Sequence, residues 1–152
     1  MRRIDDPAMF VFKHLLLAAV TAFGPSLYRA QCNALLAGNL SSYAATLAPS
    51  YRFVDLGGRL ETRAQVLATF ARWFQSGSGR IERCRASAPS KRPSPTGVSV
   101  PLHIVETFAV AIPGAGIRRY RIDLHAVERW ELIGAHWRAV ESVVRRRSVT
   151  PF

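Results

Sequence analysis

The chain has 152 residues, 49% of them hydrophobic, which suffices for one well-formed core and is too few for two ordinary domains. Its 21 basic and 10 acidic residues give a formal charge of +11, which raises polyanions as partners. The arginines are spread along the sequence instead of gathered on one element, so nucleic acid is not an expected partner. There is no Walker loop, dinucleotide fingerprint, G-x-S-x-G elbow or H-E-x-x-H motif, which removes the commonest nucleotide, hydrolase and metalloprotease chemistries. The two cysteines and four histidines lack metal-ligand spacing, so neither cofactor nor metal is expected.

The first 24 residues read as an N-terminal extension or a signal segment. Lys13 precedes the apolar run LLLAAVTAF at 15–23, and Val20, Thr21 and Ala22 resemble a small-residue cleavage end. The run is too short for a stable membrane span. Localisation is cytoplasmic, or exported if residues 1–22 act as a signal peptide. Cys32 and Cys84 are read first as buried free thiols, with one disulfide as the alternative in an exported chain.

Pro25 and Ser26 open a helix through residue 37, and Gly38 reverses the chain. A short helix from Ser41 or Ser42 to Ala48 is stopped by Pro49. The strand that follows places Tyr51, Phe53 and Asp55 on one side. Thr62 and Gln65 have capping-box spacing, and Leu60, Ala64, Leu67, Ala71 and Phe74 form an apolar helical stripe widened by Phe70 and Trp73.

After a Gly/Ser loop, residues 80–87 suit a strand, and the proline-rich stretch 87–97 suits a loop. Three long strands over 98–112, 117–133 and 136–146, joined by short turns, predict an antiparallel meander. Residues 148–152 read as a tail, leaving one α+β domain over 25–147.

On the middle strand, Tyr120, Ile122, Leu124, Ala126, Glu128, Trp130 and Leu132 share a face on which Glu128 is the single charge. Trp137, Ala139, Glu141 and Val143 form the corresponding row on the last strand. Alternation puts no pair of His103, His125 and His136 on a shared ligand face.

Three segments occur in a telling order: ALLAGN, SYRFVDLGGRLETRAQVLATFARWF and VERWELIGAHWRAVES. Together they resemble the NTF2-like superfamily and, within it, SnoaL-like and DUF4440-like proteins. The resemblance implies a cone in which N-terminal helices pack against a strongly curved, mostly antiparallel sheet, a pocket for a small hydrophobic or aromatic ligand, and a homodimer.

Compared with ketosteroid isomerases and polyketide cyclases, Asp55 matches the catalytic base by position and Glu128 the proton-donating acid. The family's helix tyrosine falls near Arg29, with Tyr28 one residue away and directed elsewhere. Tyr28, Tyr51, Phe53, Phe70 and Trp73 would line the pocket together with Tyr120, Trp130 and Trp137.

Plainer readings stand beside these. Asp55 is equally a turn residue before Gly57 and Gly58, and Glu128 an ion-pair partner of Arg29. The Arg121 and Asp123 spacing of an epoxide hydrolase falls on the polar face. Arg119, Arg121 and Arg129 on that face could instead serve a noncatalytic interaction domain.

Overall fold

The computed structural model describes residues 23–152 except Ser90; the signal-segment reading of residues 1–22 lies outside them. Helix α1 (Pro25–Leu36) starts with proline at its first turn and buries Tyr28, Cys32 and Leu35 together with Ala34. The i, i+4, i+7 spacing of the first three defines the inward stripe. Ala30 and Ala37 are exposed.

Helix α2 (Leu40–Ala45) is capped by Asn39, whose Oδ1 accepts from Ser42 N at 3.0 Å. It ends before the proline that was expected to stop it. Leu47 already pairs with Ala139 of the last strand, and burial of Leu47 and Ala48 outweighs local helix propensity. Pro49 sits inside β1 (Leu47–Val54), in the stretch where the ladder slips between Leu47 and Arg52, a place where a missing N–H is tolerated.

A three-residue strand β2 (Leu60–Thr62) leads into α3 (Arg63–Ser76). Both halves of the capping box form: Thr62 Oγ1 accepts from Gln65 N, and Gln65 Oε1 from Thr62 N at 2.8 Å. Gly77, at φ 64°, closes α3 in the left-handed conformation. The packed face of α3 is centred on Val66, Leu67 and Phe70. Leu60 lies outside the helix with Ala64 exposed on it, so the apolar stripe begins later than its sequence suggests.

Strands β3 (Gly79–Ser87), β4 (Val98–Ile112), β5 (Gly116–Ile133) and β6 (His136–Pro151) complete a six-stranded sheet in the order β2-β1-β6-β5-β4-β3. Among the described residues, only β1 and β6 pair in parallel. The β4-β5-β6 meander follows the expected boundaries except at its end. Residues 148–151 are not a tail: Ser148 pairs with Asp123, and Pro151 with Tyr120.

Two bulges in β6 decide which of its side chains face the helices. Trp130 pairs with Ala139 while Arg129 pairs with Glu141, which leaves Val140 as an extra residue; between Val144 and Arg146, Arg145 is the second. Each extra residue inverts the alternation. Ser142, and not Glu141, therefore falls on the buried row, while Glu141 takes an ion pair with Arg52.

Trp130 is fully buried, packed with Tyr28, Leu47, Val98, Val100, Trp137 and Ala139. Gly97 brings the proline-rich loop against this core; a Cβ there would stand 2.5 Å from the Trp130 carbonyl oxygen. Cys32 and Cys84 form a disulfide that ties α1 to β3. This corrects the free-thiol expectation: the cysteines, 52 residues apart, are brought together by packing that no spacing rule encodes.

Candidate functional site

Between the helices and the sheet lies a cavity of about 260 Å³ with mostly apolar walls. Helix α1 contributes Tyr28, Gln31 and Leu35; β1 contributes Tyr51 and Phe53; α3 contributes Val66, Thr69 and Phe70. The sheet contributes Leu102, Ile104, Ile122, Leu124 and Ala126, with Glu106, Glu128, Ser142 and Arg147, and the Cys32–Cys84 disulfide forms part of the wall.

Glu128 is 5% exposed and makes no ion pair among the described residues. The expected partner Arg29 is exposed on α1. A buried hydroxyl relay replaces that pair. Tyr51 Oη donates to Ser142 Oγ at 3.0 Å, and Ser142 Oγ donates to Glu128 Oε2 at 2.5 Å. Burial nevertheless dominates and pushes the Glu128 carboxyl up to about 7, against a smaller lowering by Ser142 and Trp130. The phenols of Tyr28 and Tyr51 are raised as well, by burial first and the Glu128 charge second.

Five buried side-chain polar atoms have no hydrogen-bond partner among the described residues, and three of them are Glu128 Oε1, Tyr28 Oη and Trp130 Nε1. These three are neighbours. The Trp130 indole lowers the pKa of both Tyr28 and Glu128, yet stands outside hydrogen-bond geometry to either. Buried unpaired groups cost about 1 to 3 kcal/mol each, so such a cluster suits a polar atom supplied from the cavity. Tyr28 lines the cavity as expected, and its hydroxyl stands near Glu128 although its helix position, one residue from that of the family tyrosine, was read as directing it elsewhere.

Asp55 does not. Its Oδ1 accepts from the backbone N–H of Gly57 and of Arg59, both at 2.9 Å, in the turn after β1. The carboxylate is outside the cavity wall, and the expected convergence with Glu128 is absent. The double glycine made this turn the plainer reading of the sequence.

Four of the expected lining aromatics are also placed elsewhere. Trp73 stacks on Phe108, and Phe108 on Tyr120, in a row beside the cavity. Trp130 and Trp137 lie in the core against Phe23. Tyr28, Tyr51, Phe53 and Phe70 do line the wall.

A second carboxylate in the cavity, Glu106, was not singled out in the sequence. Burial pushes it up to about 7. Its Oε1 lies 3.8 Å from the Cys84 sulfur, which carries no proton in the disulfide. Glu106 was nonetheless legible, as the one charge on the alternating row Val98, Val100, Leu102, Ile104, Glu106, Phe108. It pairs with Ile122 across the ladder, six residues from Glu128, so roughly 20 Å of strand separates the two acids. They cannot work on one reacting atom.

The opposite face of the sheet is polar. His103 and His125 are register partners, stacked with ring centres 4.2 Å apart, which corrects the expectation that no histidines share a face. Arg119 is held by Glu82, and Arg129 by Glu131, so neither is an uncompensated cation.

No protein-family model matches the chain, and no curated protein matches it by sequence. In three dimensions it is similar to hexachlorocyclohexane dehydrochlorinase LinA-type3 from Novosphingobium barchaimii LL02, at TM-score 0.60 and 9% identity over 97% of this chain and 94% of that one. It is also similar to a ketosteroid isomerase-like protein from Erwinia carotovora atroseptica SCRI1043, at TM-score 0.56 and 10% identity over 78% and 89%. A cystatin-like-fold domain of unknown function from Nostoc punctiforme PCC 73102 matches at TM-score 0.52 and 14% identity over 80% and 73%. The chain shares its fold with these solved proteins. It is an α+β protein with N-terminal helices on a mixed, mostly antiparallel sheet and a cavity between them.

Proposed function

We propose that this chain is a SnoaL-like pocket protein that binds a small, largely apolar molecule bearing one hydroxyl or carbonyl oxygen. Glu128 then gives or takes a proton at that oxygen, in cofactor-independent isomerase or cyclase chemistry. The observation that carries the reading is the cluster of Glu128 Oε1 and Tyr28 Oη, buried, unpartnered among the described residues and lining an apolar cavity. A volume of about 260 Å³ lies near the small end of ligand pockets and suits one or two fused rings.

The relay favours one arrangement of the carboxyl proton. Ser142 already donates to Oε2, so the acidic proton belongs on Oε1. Its pKa of about 7 suits transfer in either direction near neutrality. Tyr28, whose pKa is raised, stays protonated and donates to the same ligand oxygen as charge develops there. The base role drawn from position for Asp55 has no geometric support, since turn amides hold that carboxylate.

The test compares 2-naphthol with naphthalene by tryptophan fluorescence titration. Glu128→Gln and Tyr28→Phe should weaken naphthol binding about tenfold each and leave naphthalene unchanged. Equal affinity for both compounds, insensitive to either substitution, would leave only a noncatalytic apolar pocket.

A further inference from the structure

The polar face of the sheet carries a second constellation, unconnected with the cavity. Asp123 and His125 lie two residues apart on β5, and the ladder sets His103 of β4 directly opposite His125. Their ligating atoms all lie within 4.8 Å of one another, and the three residues are half-buried. His103 Nε2 is 2.9 Å from Asp123 Oδ1, and His125 Nε2 is 3.4 Å from the same oxygen. Arg146, opposite His125 on β6, places Nη2 2.8 Å from His125 Nε2.

The protons follow from these contacts. A guanidinium only donates, so His125 Nε2 accepts and is unprotonated, the form a metal ion requires. Asp123 Oδ1 accepts from His103 at 2.9 Å. His125 Nε2 and Asp123 Oδ1 are therefore two electron-rich atoms 3.4 Å apart with no proton between them. Such a pair is relieved by a cation.

We propose that His103, Asp123 and His125 form a binding site for a divalent transition-metal ion of the Zn²⁺ class. Ligand atoms about 2.1 Å from a tetrahedral ion stand about 3.4 Å apart, close to the two separations present. Two imidazoles and one carboxylate select Zn²⁺ or Co²⁺ over Mg²⁺ or Ca²⁺. On binding, neutral His103 changes tautomer, losing its Nε2 proton to solvent and taking one from solvent at Nδ1, so that Nε2 can ligate, and Arg146 withdraws from His125. The remaining coordination positions stay open to water or an anion. An open groove along Ser87, Pro89, Pro101 and Arg145 reaches both histidines.

Without an ion, the same residues would be a hydrogen-bonded surface cluster in which Arg146 supplies the charge. Titration of the untagged protein with Co²⁺, read by its visible d–d absorption, separates the two. One saturable equivalent per chain, displaced by Zn²⁺, is the expected result. His125→Ala and His103→Ala should each weaken binding at least about tenfold. Arg146→Ala removes a competing donor and an adjacent positive charge, and should tighten binding about fivefold. A d–d band that is absent, or binding that H103A and H125A leave unchanged, would overturn the proposal, as would weaker binding in R146A.

Discussion

Replacing Glu128 by glutamine should change stability in opposite directions at low and high pH. The native carboxyl has a pKa of about 7, against 4.5 for the free group. Between those values the folded state holds a proton that the unfolded chain releases, so stability falls as pH rises through this window and levels off above it. At about 1.4 kcal/mol per tenfold change in acidity, the full cost of ionising Glu128 in the folded state is about 3 kcal/mol. Glutamine never pays this cost, but its amide leaves buried N–H donors without acceptors, a penalty of roughly 1 kcal/mol.

Glu128→Gln should therefore be about 1 kcal/mol less stable than the parent at pH 4 and about 2 kcal/mol more stable at pH 8.5. In urea that is an upward midpoint shift of about 1 M at the higher pH. Glu106, also raised to about 7 by burial, contributes a second slope of the same sign, so the single variant should keep part of the pH dependence and Glu106→Gln/Glu128→Gln should lose nearly all of it. Equal destabilisation of Glu128→Gln at both pH values would refute the reasoning. It would mean that the carboxylate is ionised and fully satisfied in the fold.

Replacing both cysteines with alanine opens a loop of 52 residues and should cost about 4 kcal/mol by the chain-entropy relation; an unchanged urea midpoint would show that the bridge constrains nothing. Asp55→Ala removes the acceptor of two turn amides and should cost about 1 to 2 kcal/mol without altering naphthol affinity; lost affinity at full stability would return Asp55 to the site. Gly97→Ala drives a Cβ to 2.5 Å from the Trp130 carbonyl oxygen and should cost about 1 to 3 kcal/mol, seen as a lower thermal midpoint.

The parts of the fold that were legible are those fixed by local pattern. Thr62 and Gln65 announce the start of α3 by spacing alone. The alternation in β5 places Glu128 correctly because that strand carries no extra residue of its own, and its one charge on an apolar row is the mark of the site. In β6 the same reasoning fails. Val140 and Arg145 are extra residues against β5, and nothing in HWRAVESVVRR distinguishes a bulge residue from a paired one. Alternation therefore chose Glu141, while the relay to Glu128 runs through Ser142.

The other misses share one physical origin: pairings between distant segments. The disulfide joins α1 to β3, and the stacked histidines join β4 to β5 at a register set by the length of the hairpin around Gly114 and Gly116. Tyr28 shows how a one-residue judgement on a helix depends on the same thing. A residue turns about 100° from its neighbour, so the inward face of α1 is decided by what it packs against. Cys32, clamped to the sheet through Cys84, lies one helical turn from Tyr28 and on the same face. That clamp, more than the apolar pattern of α1, turns the Tyr28 hydroxyl toward Glu128. Loss of the disulfide should consequently weaken binding of 2-naphthol while leaving the Tyr51, Ser142 and Glu128 relay, which is built from β1, β6 and β5 alone, in place.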